Sequence, residues 1–195
     1  MATLSCIPRS PLRALIRAGL ALCAPLVLAA CFVSETPVIP AGDGMLPVDG
    51  AISLCVDPKE PCMSFDVDGD GYVSRDRGEE GDVARVRFAP LMVVAQRQVF
   101  ILEAFDESEP GYLYILARRA GPAAPRGNAF DLAAIDCDDL SDAAKADWLT
   151  AGGTYKGGWV PECIPPDLAT LRTALRASLA DKLADEDWWL EKGPN

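Results

Sequence analysis

Three aspartates alternate along one short segment, and their spacing points to a chemistry more directly than any other feature of the chain. Asp66, Asp68 and Asp70 are separated by single residues, and Gly69 and Gly71 give the backbone the freedom that a tight turn needs. Ca²⁺ takes six to eight oxygen ligands at about 2.3 to 2.6 Å, and alternate carboxylates around such a turn can converge on one ion. The segment is therefore a candidate calcium site.

This segment, Asp66–Ser74, resembles the start of the calcium loops of EF-hand and dockerin-type proteins. The resemblance implies that the three aspartates bind calcium through their side chains, Tyr72 through its carbonyl, and Ser74 directly or through water. It ends at the twelfth loop position, where the family has a bidentate acid and this chain has Arg77. The same residues also fit a plain hairpin turn, because Asp-Gly pairs suit turns with positive φ. Calcium binding and a bare turn both stay open.

The first thirty residues are typical of a secretion signal, with three arginines before an apolar stretch that is too short to span a bilayer. The stretch ends in Leu28-Ala29-Ala30-Cys31, which resembles the lipobox of bacterial lipoproteins. The resemblance implies cleavage before Cys31 and a covalent lipid on its sulfur, so that acyl chains anchor the mature protein in a membrane. Phe32 at the next position implies sorting to the outer membrane, with the protein facing the periplasm. An ordinary signal peptide with an unrelated cysteine is the alternative.

The charge balance bears on the partners. The chain has 18 Lys and Arg against 29 Asp and Glu, and removal of the signal with its three arginines takes the formal net charge from -11 to -14. Nucleic-acid binding draws its affinity from clustered basic residues, so nucleic acid is excluded as a partner. The absence of histidine excludes Ser-His-Asp catalysis and histidine-ligated metals. A cationic protein partner suits this charge, although excess acid also serves solubility alone.

The cysteine count indicates an oxidising compartment. Two of the seven cysteines leave with the signal and Cys31 is assigned to lipid, so four remain: Cys55, Cys62, Cys137 and Cys163. An even number fits two disulfides, of which we favour Cys55–Cys62 and Cys137–Cys163 among three possible connectivities. Zinc ligation by four thiolates is the rival, but neither pair has the short spacing of structural zinc sites.

The hydrophobic pattern predicts the elements that must position these residues. Residues 31–47, rich in proline and glycine, are expected to form a semi-extended, lipid-anchored tether, and residues 48–195 a single β-rich domain. Short apolar runs from Ala51 to Ile135 predict an antiparallel β-sheet or partial barrel. Ser141 and Asp167 are candidate helix N-caps, and the second precedes a stripe of leucines at helical spacing. We therefore expect an α+β fold, in which a small antiparallel sheet or partial barrel is followed by a C-terminal amphipathic helix. The segment Trp188-Trp189-Leu190 is expected to be an extended segment or a final strand.

No segment carries a catalytic signature. Asp136, Asp138 and Asp139 have the side chains for glycosidic acid/base chemistry, but nothing else in the sequence completes such a site. The layout resembles that of small uncharacterised lipoproteins of Gram-negative bacteria, which implies no activity. The sequence thus predicts a non-catalytic binding or structural module of the cell envelope, in which calcium binding is one of the two open interpretations of Asp66–Ser74. The alternative is a periplasmic inhibitor of a cationic hydrolase such as lysozyme, which rests on resemblance to lysozyme-inhibitor lipoproteins in compartment, size, acidity and disulfides.

Overall fold

Strands make up most of the fold. The computed structural model of the chain describes residues 32–55, 62–74, 83–107, 109–121, 128–157 and 161–193. Within these residues the strands are β1 (Val33–Ser34), β2 (Ile52–Cys55), β3 (Met63–Asp68), β4 (Gly71–Ser74), β5 (Ala84–Val94), β6 (Arg97–Asp106), β7 (Glu109–Arg119), β8 (Ala129–Ala133), β9 (Thr154–Lys156) and β10 (Glu162–Ile164). The signal peptide, Cys31 and Arg77 lie outside the described residues.

The main sheet closes on itself. Strands β2 to β7 pair with their neighbours in chain order, all antiparallel. Strand β8 then pairs in parallel with β2 and antiparallel with β7, which makes a closed seven-stranded barrel. The short β1 pairs with the first part of β7, and β9 with β10 forms a separate two-stranded hairpin.

Three short helices follow or flank the last strands in the described part of the chain: α1 (Asp142–Thr150), α2 (Leu168–Leu179) and α3 (Glu186–Lys192). Ser141 and Asp167 cap the first two, since their side chains accept hydrogen bonds from the backbone nitrogens of Ala144 and Thr170. Such caps satisfy backbone donors that a helix leaves without partners. The leucine stripe is buried, at Leu168, Leu171, Leu175, Leu179 and Leu183.

The expected fold class is therefore wrong in two respects. The sheet is a closed barrel rather than a small sheet or partial barrel, and three short helices replace the single C-terminal helix. Closure depends on the parallel pairing of β2 with β8, where Ser53 aligns with Ala129, and no local pattern marks a contact over such a separation. The segment Trp188-Trp189-Leu190 lies in α3 rather than in an extended segment, and both tryptophans are buried.

The barrel is apolar on both faces of its long strands. Val86, Phe100 and Ile115 point into the barrel, whereas Ile101 and Leu116 belong to a second cluster on the outside. That outer cluster is covered by the helices, which bury Trp148, Leu171, Leu175 and Trp189 against it. Strands that are buried on both faces lose the alternation of polar and apolar residues, so they read as continuous apolar runs.

A bulge in β5 fixes the position of α2. The strand register shifts between Pro90 and Met92, and two carbonyls at this bulge accept hydrogen bonds from arginines of α2. Arg172 donates from Nε to the carbonyl of Pro90 at 3.0 Å, and Arg176 donates from Nε to the carbonyl of Leu91 at 2.8 Å. The helix is thereby held on the barrel by charged hydrogen bonds as well as by its leucines.

Residues 32–47 lie against the barrel, although the sequence predicts a semi-extended tether there. Phe32 is fully buried, and its ring meets the ring of Trp148 edge-to-face at a centroid distance of 5.7 Å. Val38 and Ile39 are also buried. The described fold therefore includes the segment directly after Cys31.

The two disulfides have the pairing that the sequence favours. Cys55 is bonded to Cys62 across a separation of 7 residues, and Cys137 to Cys163 across 26. The first joins the end of β2 to the residue before β3. The second joins a turn of 3₁₀ helix at Cys137–Asp139 to β10.

Candidate ligand-binding site

One half of the barrel interior is filled by aromatic rings. Phe88 lies at the centre of this group, with centroid distances of 5.7 Å to Tyr72, 5.8 Å to Phe100 and 5.2 Å to Phe130. All four side chains are buried. Large rings in offset and edge-to-face contact leave little free volume, so they close this half of the barrel.

The other half of the interior is a cavity. Together with its open mouth, the cavity has a volume of about 800 Å³, within the range of small-molecule sites. The walls consist of aliphatic side chains and one aromatic ring contributed by six of the barrel strands, namely Leu54, Phe65, Val86, Leu102, Leu113, Ile115 and Leu132. Small barrels of this kind can enclose a single small ligand, and the apolar walls favour an apolar one.

The cavity leads to a mouth at the end of the barrel where β3, β5 and β7 begin. One side of this mouth is formed by residues 33–36, and another by residues of the β9–β10 hairpin and the segment after it, Lys156, Glu162, Ile164 and Pro165. Phe105 and Tyr112, whose rings stack at a centroid distance of 5.1 Å, also line it. The mouth thus adds polar and aromatic groups to an apolar interior.

Among the described residues that line the mouth, the charged side chains are mostly acidic. Glu35, Asp106 and Glu162 line it, together with Lys156, whose Nζ lies 3.7 Å from Oε2 of Glu162. A mouth with this composition offers polar contacts to the head of an amphiphile, whereas the interior offers none.

A buried polar network holds the wall of the mouth that the N-terminal segment forms. Oε2 of Glu103 accepts hydrogen bonds from the backbone nitrogens of Val38 and Ile39 at 2.7 and 2.9 Å. The hydroxyl of Tyr114 donates to the same oxygen at 3.1 Å and lies 2.7 Å from the hydroxyl of Ser34. Burial raises the pKa of Tyr114, and the charge of Glu103 raises it further. The network therefore fixes the segment without an unpaired buried group.

Glu103 is 2% exposed and carries its charge in the interior of the protein. Arg87 compensates for it, with Nη2 at 2.5 Å from Oε1 of Glu103. A buried carboxylate is costly unless it is paired and hydrogen-bonded, and Glu103 is both.

The adjoining wall of the mouth, formed by the β9–β10 hairpin, is held by the disulfide Cys137–Cys163. Cys163 lies between two lining residues, Glu162 and Ile164. It is also bridged to Phe32, so that β1 and β10 lie side by side. Both walls are thus fixed by contacts distant in sequence.

The five predicted calcium ligands lie along the β3–β4 hairpin. Asp66 pairs with Val73 and Asp68 with Gly71 in the strand register, and the turn between them has Gly69 at φ 63°. A turn of this kind needs φ > 0 at its first central residue, which glycine supplies. The segment thus has the geometry of a plain hairpin turn, which the sequence allows as the alternative to a calcium loop.

Several of these groups have protein partners. The carboxylate of Asp68 pairs with Arg85, and Oδ2 of Asp70 accepts a hydrogen bond from the backbone nitrogen of Gly42 at 2.7 Å. The hydroxyl of Tyr72 donates to the carbonyl of Val48 at 2.8 Å, and burial raises its pKa.

The last predicted ligand, Ser74, also has a partner, since its hydroxyl accepts from the backbone nitrogen of Ala84. Among the described residues, no group of three or more acidic or cysteine side chains is arranged to hold a metal. Calcium binding at this segment stays a prediction.

The aspartates around Cys137 cap and brace a turn. Oδ2 of Asp139 accepts from the backbone nitrogen of Asp136 at 2.8 Å and from Nζ of Lys192 at 2.8 Å. Asp138 pairs with Lys145 at 3.3 Å. These contacts tie α3 and α1 to the turn, so the carboxylates have structural partners.

The cavity is the functional feature that the sequence did not reveal. Its walls come from alternate residues of separate strands, such as Leu102 and Ala104 in β6 and Leu113 and Ile115 in β7. The strands are apolar on both faces, so the sequence does not mark which residues face inward, and a cavity also depends on closure of the barrel. The sequence places the mouth residues 33–36 in the expected tether, outside the folded domain.

In the part of the chain that the structure describes, the helices lack the length and apolar character of a membrane span. Comparisons with family models, curated proteins and solved structures found no match to this chain.

Proposed function

We propose that this chain is a lipid-anchored envelope lipoprotein, acylated on Cys31, whose barrel is a non-catalytic binding module for one apolar or amphiphilic molecule. The observation that carries the proposal is the cavity inside the barrel, about 800 Å³ together with its mouth and lined by aliphatic side chains. The lipid anchor rests on the resemblance of Leu28-Ala29-Ala30-Cys31 to a lipobox. This proposal retains the non-catalytic role that the sequence predicts and adds the class of ligand, an apolar or amphiphilic molecule.

The division of the interior supports binding rather than a purely structural role. Protein interiors are normally close-packed, and the aromatic half of this barrel follows that rule. The aliphatic half leaves a space larger than packing defects in ordinary cores. An apolar ligand in that space would gain about 0.8 kcal/mol for each methylene group that leaves water.

Titration with the uncharged fluorescent probe N-phenyl-1-naphthylamine tests the proposal. Residues 32–195, secreted from a cleavable signal so that both disulfides form, keep every described residue. We expect saturable probe binding at one site per chain. We also expect displacement by alkyl alcohols whose potency rises about fourfold for each added methylene, the factor that corresponds to about 0.8 kcal/mol.

A matched pair of variants locates the probe. Ala104→Trp places an indole in the cavity, because Ala104 lines it. Ala143→Trp makes the same substitution on the exposed surface of α1. We expect the first to weaken probe binding at least about tenfold and the second to leave it unchanged. Equal binding by both variants would place the probe outside the barrel and overturn the proposal.

A further inference from the structure

The fold begins without a spacer after the predicted lipid site. Phe32 is fully buried, and its carbonyl accepts a hydrogen bond from the backbone nitrogen of Tyr114 at 3.0 Å. Cys31 is bonded directly to Phe32, and consecutive Cα atoms are about 3.8 Å apart. A lipid on Cys31 therefore fixes the adjacent face of the domain close to the bilayer.

That face can be identified from the strand register. Phe32 is bridged to Cys163, and Cys163 is the register partner of Tyr155 in β9. Neighbouring strands are about 4.8 Å apart, so the backbone of Tyr155 lies about 10 Å from that of Phe32. Tyr155 is 44% exposed, and tyrosine is enriched where membranes meet water.

The mouth of the cavity is built from the same elements. Residues 33–36 follow Phe32 directly. Lys156 follows Tyr155 in β9, and Glu162 precedes Cys163 in β10. The backbones of Phe32, Tyr155 and the mouth residues thus lie close together, next to the predicted anchor. Mouth and anchor cannot move apart, because the polar network around Glu103 and the disulfide Cys137–Cys163 fix both walls.

We infer that the mouth faces the bilayer in the anchored protein, and that its ligand is an acyl chain of a phospholipid drawn from the leaflet that holds the anchor. This inference rests on the proposed function, in both the acylation of Cys31 and the binding of an apolar molecule. The acidic chain disfavours contact with anionic lipid heads, so the phospholipid has a zwitterionic head.

Photocrosslinking of the full, acylated lipoprotein tests this inference. The protein is placed in phosphatidylcholine vesicles that contain a phospholipid with a diazirine at the end of one acyl chain. After irradiation, mass spectrometry of the digested protein maps the crosslinks. We expect crosslinks at the cavity residues Leu102 and Ile115 and at Tyr155, and loss of the two cavity crosslinks in Ala104→Trp.

A spacer variant separates orientation from binding. A flexible Gly-Ser segment of about 20 residues is inserted between Cys31 and Phe32. Its end-to-end distance of about 25 Å allows the domain to move that far from the lipid anchor. We expect it to lower the cavity crosslinks about fivefold or more, because the mouth loses its fixed contact with the bilayer. Binding of N-phenyl-1-naphthylamine by the soluble chain is measured in parallel.

The outcomes distinguish the inference from its premises. Absence of acyl mass on Cys31 or of probe binding overturns the proposed function, and the inference with it. Normal acylation and probe binding, with crosslinks confined to outer residues or unchanged by the spacer, overturn the inference alone. Displacement by soluble alkyl alcohols without any phospholipid crosslink would assign the cavity to a ligand from the aqueous phase.

Discussion

The carboxylate of Glu103 lies 2.7 Å from the backbone nitrogen of Val38, which precedes it by 65 residues. This hydrogen bond joins the barrel wall to the segment that forms one side of the cavity mouth. It is part of a set in which Glu103 also accepts from Ile39 and Tyr114 and pairs with Arg87. The position of this side of the mouth therefore depends on one buried acid.

Replacement of that acid should be costly. Glu103→Ala leaves the buried backbone nitrogen of Ile39 and the guanidinium of Arg87 without their acceptor, whereas the nitrogen of Val38 keeps the Tyr114 hydroxyl at 3.0 Å. We therefore expect the free energy of unfolding to fall by about 3 kcal/mol. Urea denaturation measures the change. Glu191→Ala, at an exposed position of α3, should change it by less than about 0.5 kcal/mol. A loss below about 1 kcal/mol for Glu103→Ala would show that the segment is held by other contacts.

The turn between β5 and β6 should be open to stabilisation. Ala95 and Gln96 both have positive φ, at 46° and 66°, and both are exposed. The left-handed conformation costs ordinary residues about 1 kcal/mol or more, whereas Asn-Gly suits a two-residue turn of this type. We expect Ala95→Asn with Gln96→Gly to raise the free energy of unfolding by about 1 kcal/mol, measured by thermal denaturation. Ala95→Val should lower it, and a gain from that variant would contradict the turn geometry.

The two disulfides should differ in their contribution. Removal of a disulfide restores conformational entropy to the unfolded chain. The resulting decrease in the free energy of unfolding grows with the length of the loop that the disulfide closes. We expect Cys137→Ala with Cys163→Ala to cost about 3.5 kcal/mol, and Cys55→Ala with Cys62→Ala about 2.5 kcal/mol. Urea denaturation under oxidising conditions gives both values.

The longer disulfide holds a wall of the mouth, because both neighbours of Cys163 in β10, Glu162 and Ile164, line that wall. Its removal should therefore also weaken binding of the neutral probe. Unchanged probe affinity in Cys137→Ala with Cys163→Ala would show that β10 keeps its position without the disulfide.

Stability should fall at alkaline pH. Burial raises the pKa of Tyr114 and of Tyr72 above the ordinary value of about 10. Burial alone would lower the pKa of Lys192, but its hydrogen bonds and ion pairs with Asp139 and Asp136 outweigh burial and raise it. The folded state thus holds all three protons more tightly than the unfolded state does. Their contribution is complete below about pH 10 and is lost as the pH rises through the folded pKa values.

Urea denaturation at a series of pH values measures this effect. We expect the contribution of these three groups to be constant between about pH 7 and 9 and to fall above about pH 10. Tyr114→Phe should be less stable than the parent at neutral pH and should lose less stability on going to alkaline pH. The same alkaline slope in both proteins would contradict the burial of the Tyr114 hydroxyl.

Local patterns predicted individual elements well. The runs around Val86, Phe100 and Leu113 are strands, and the capping residues Ser141 and Asp167 begin helices. These signals depend on neighbouring residues alone. One disulfide pairing could be favoured over the two other connectivities because of the spacing of the four cysteines in the sequence.

Features that depend on distant contacts were not predictable. Arg118 is 5% exposed, pairs with Glu186 and lies 4.4 Å from the ring centroid of Trp189, and both partners are far along the chain. The proline-rich segment 32–47 lies on the barrel through contacts with residues far along the chain, among them the buried acid Glu103, which binds its backbone. Barrel closure, and with it the cavity, is a property of the whole sheet.

The location of a bound alkyl chain tests the central claim most directly. Crystals of residues 32–195 grown with 12-bromododecanol would show the bromine by its anomalous scattering. We predict one bromine site inside the barrel, in van der Waals contact with Leu102 or Ile115. A cavity without ligand, with bromine found only on the outer surface, would contradict the assignment of the barrel as a binding module for apolar molecules.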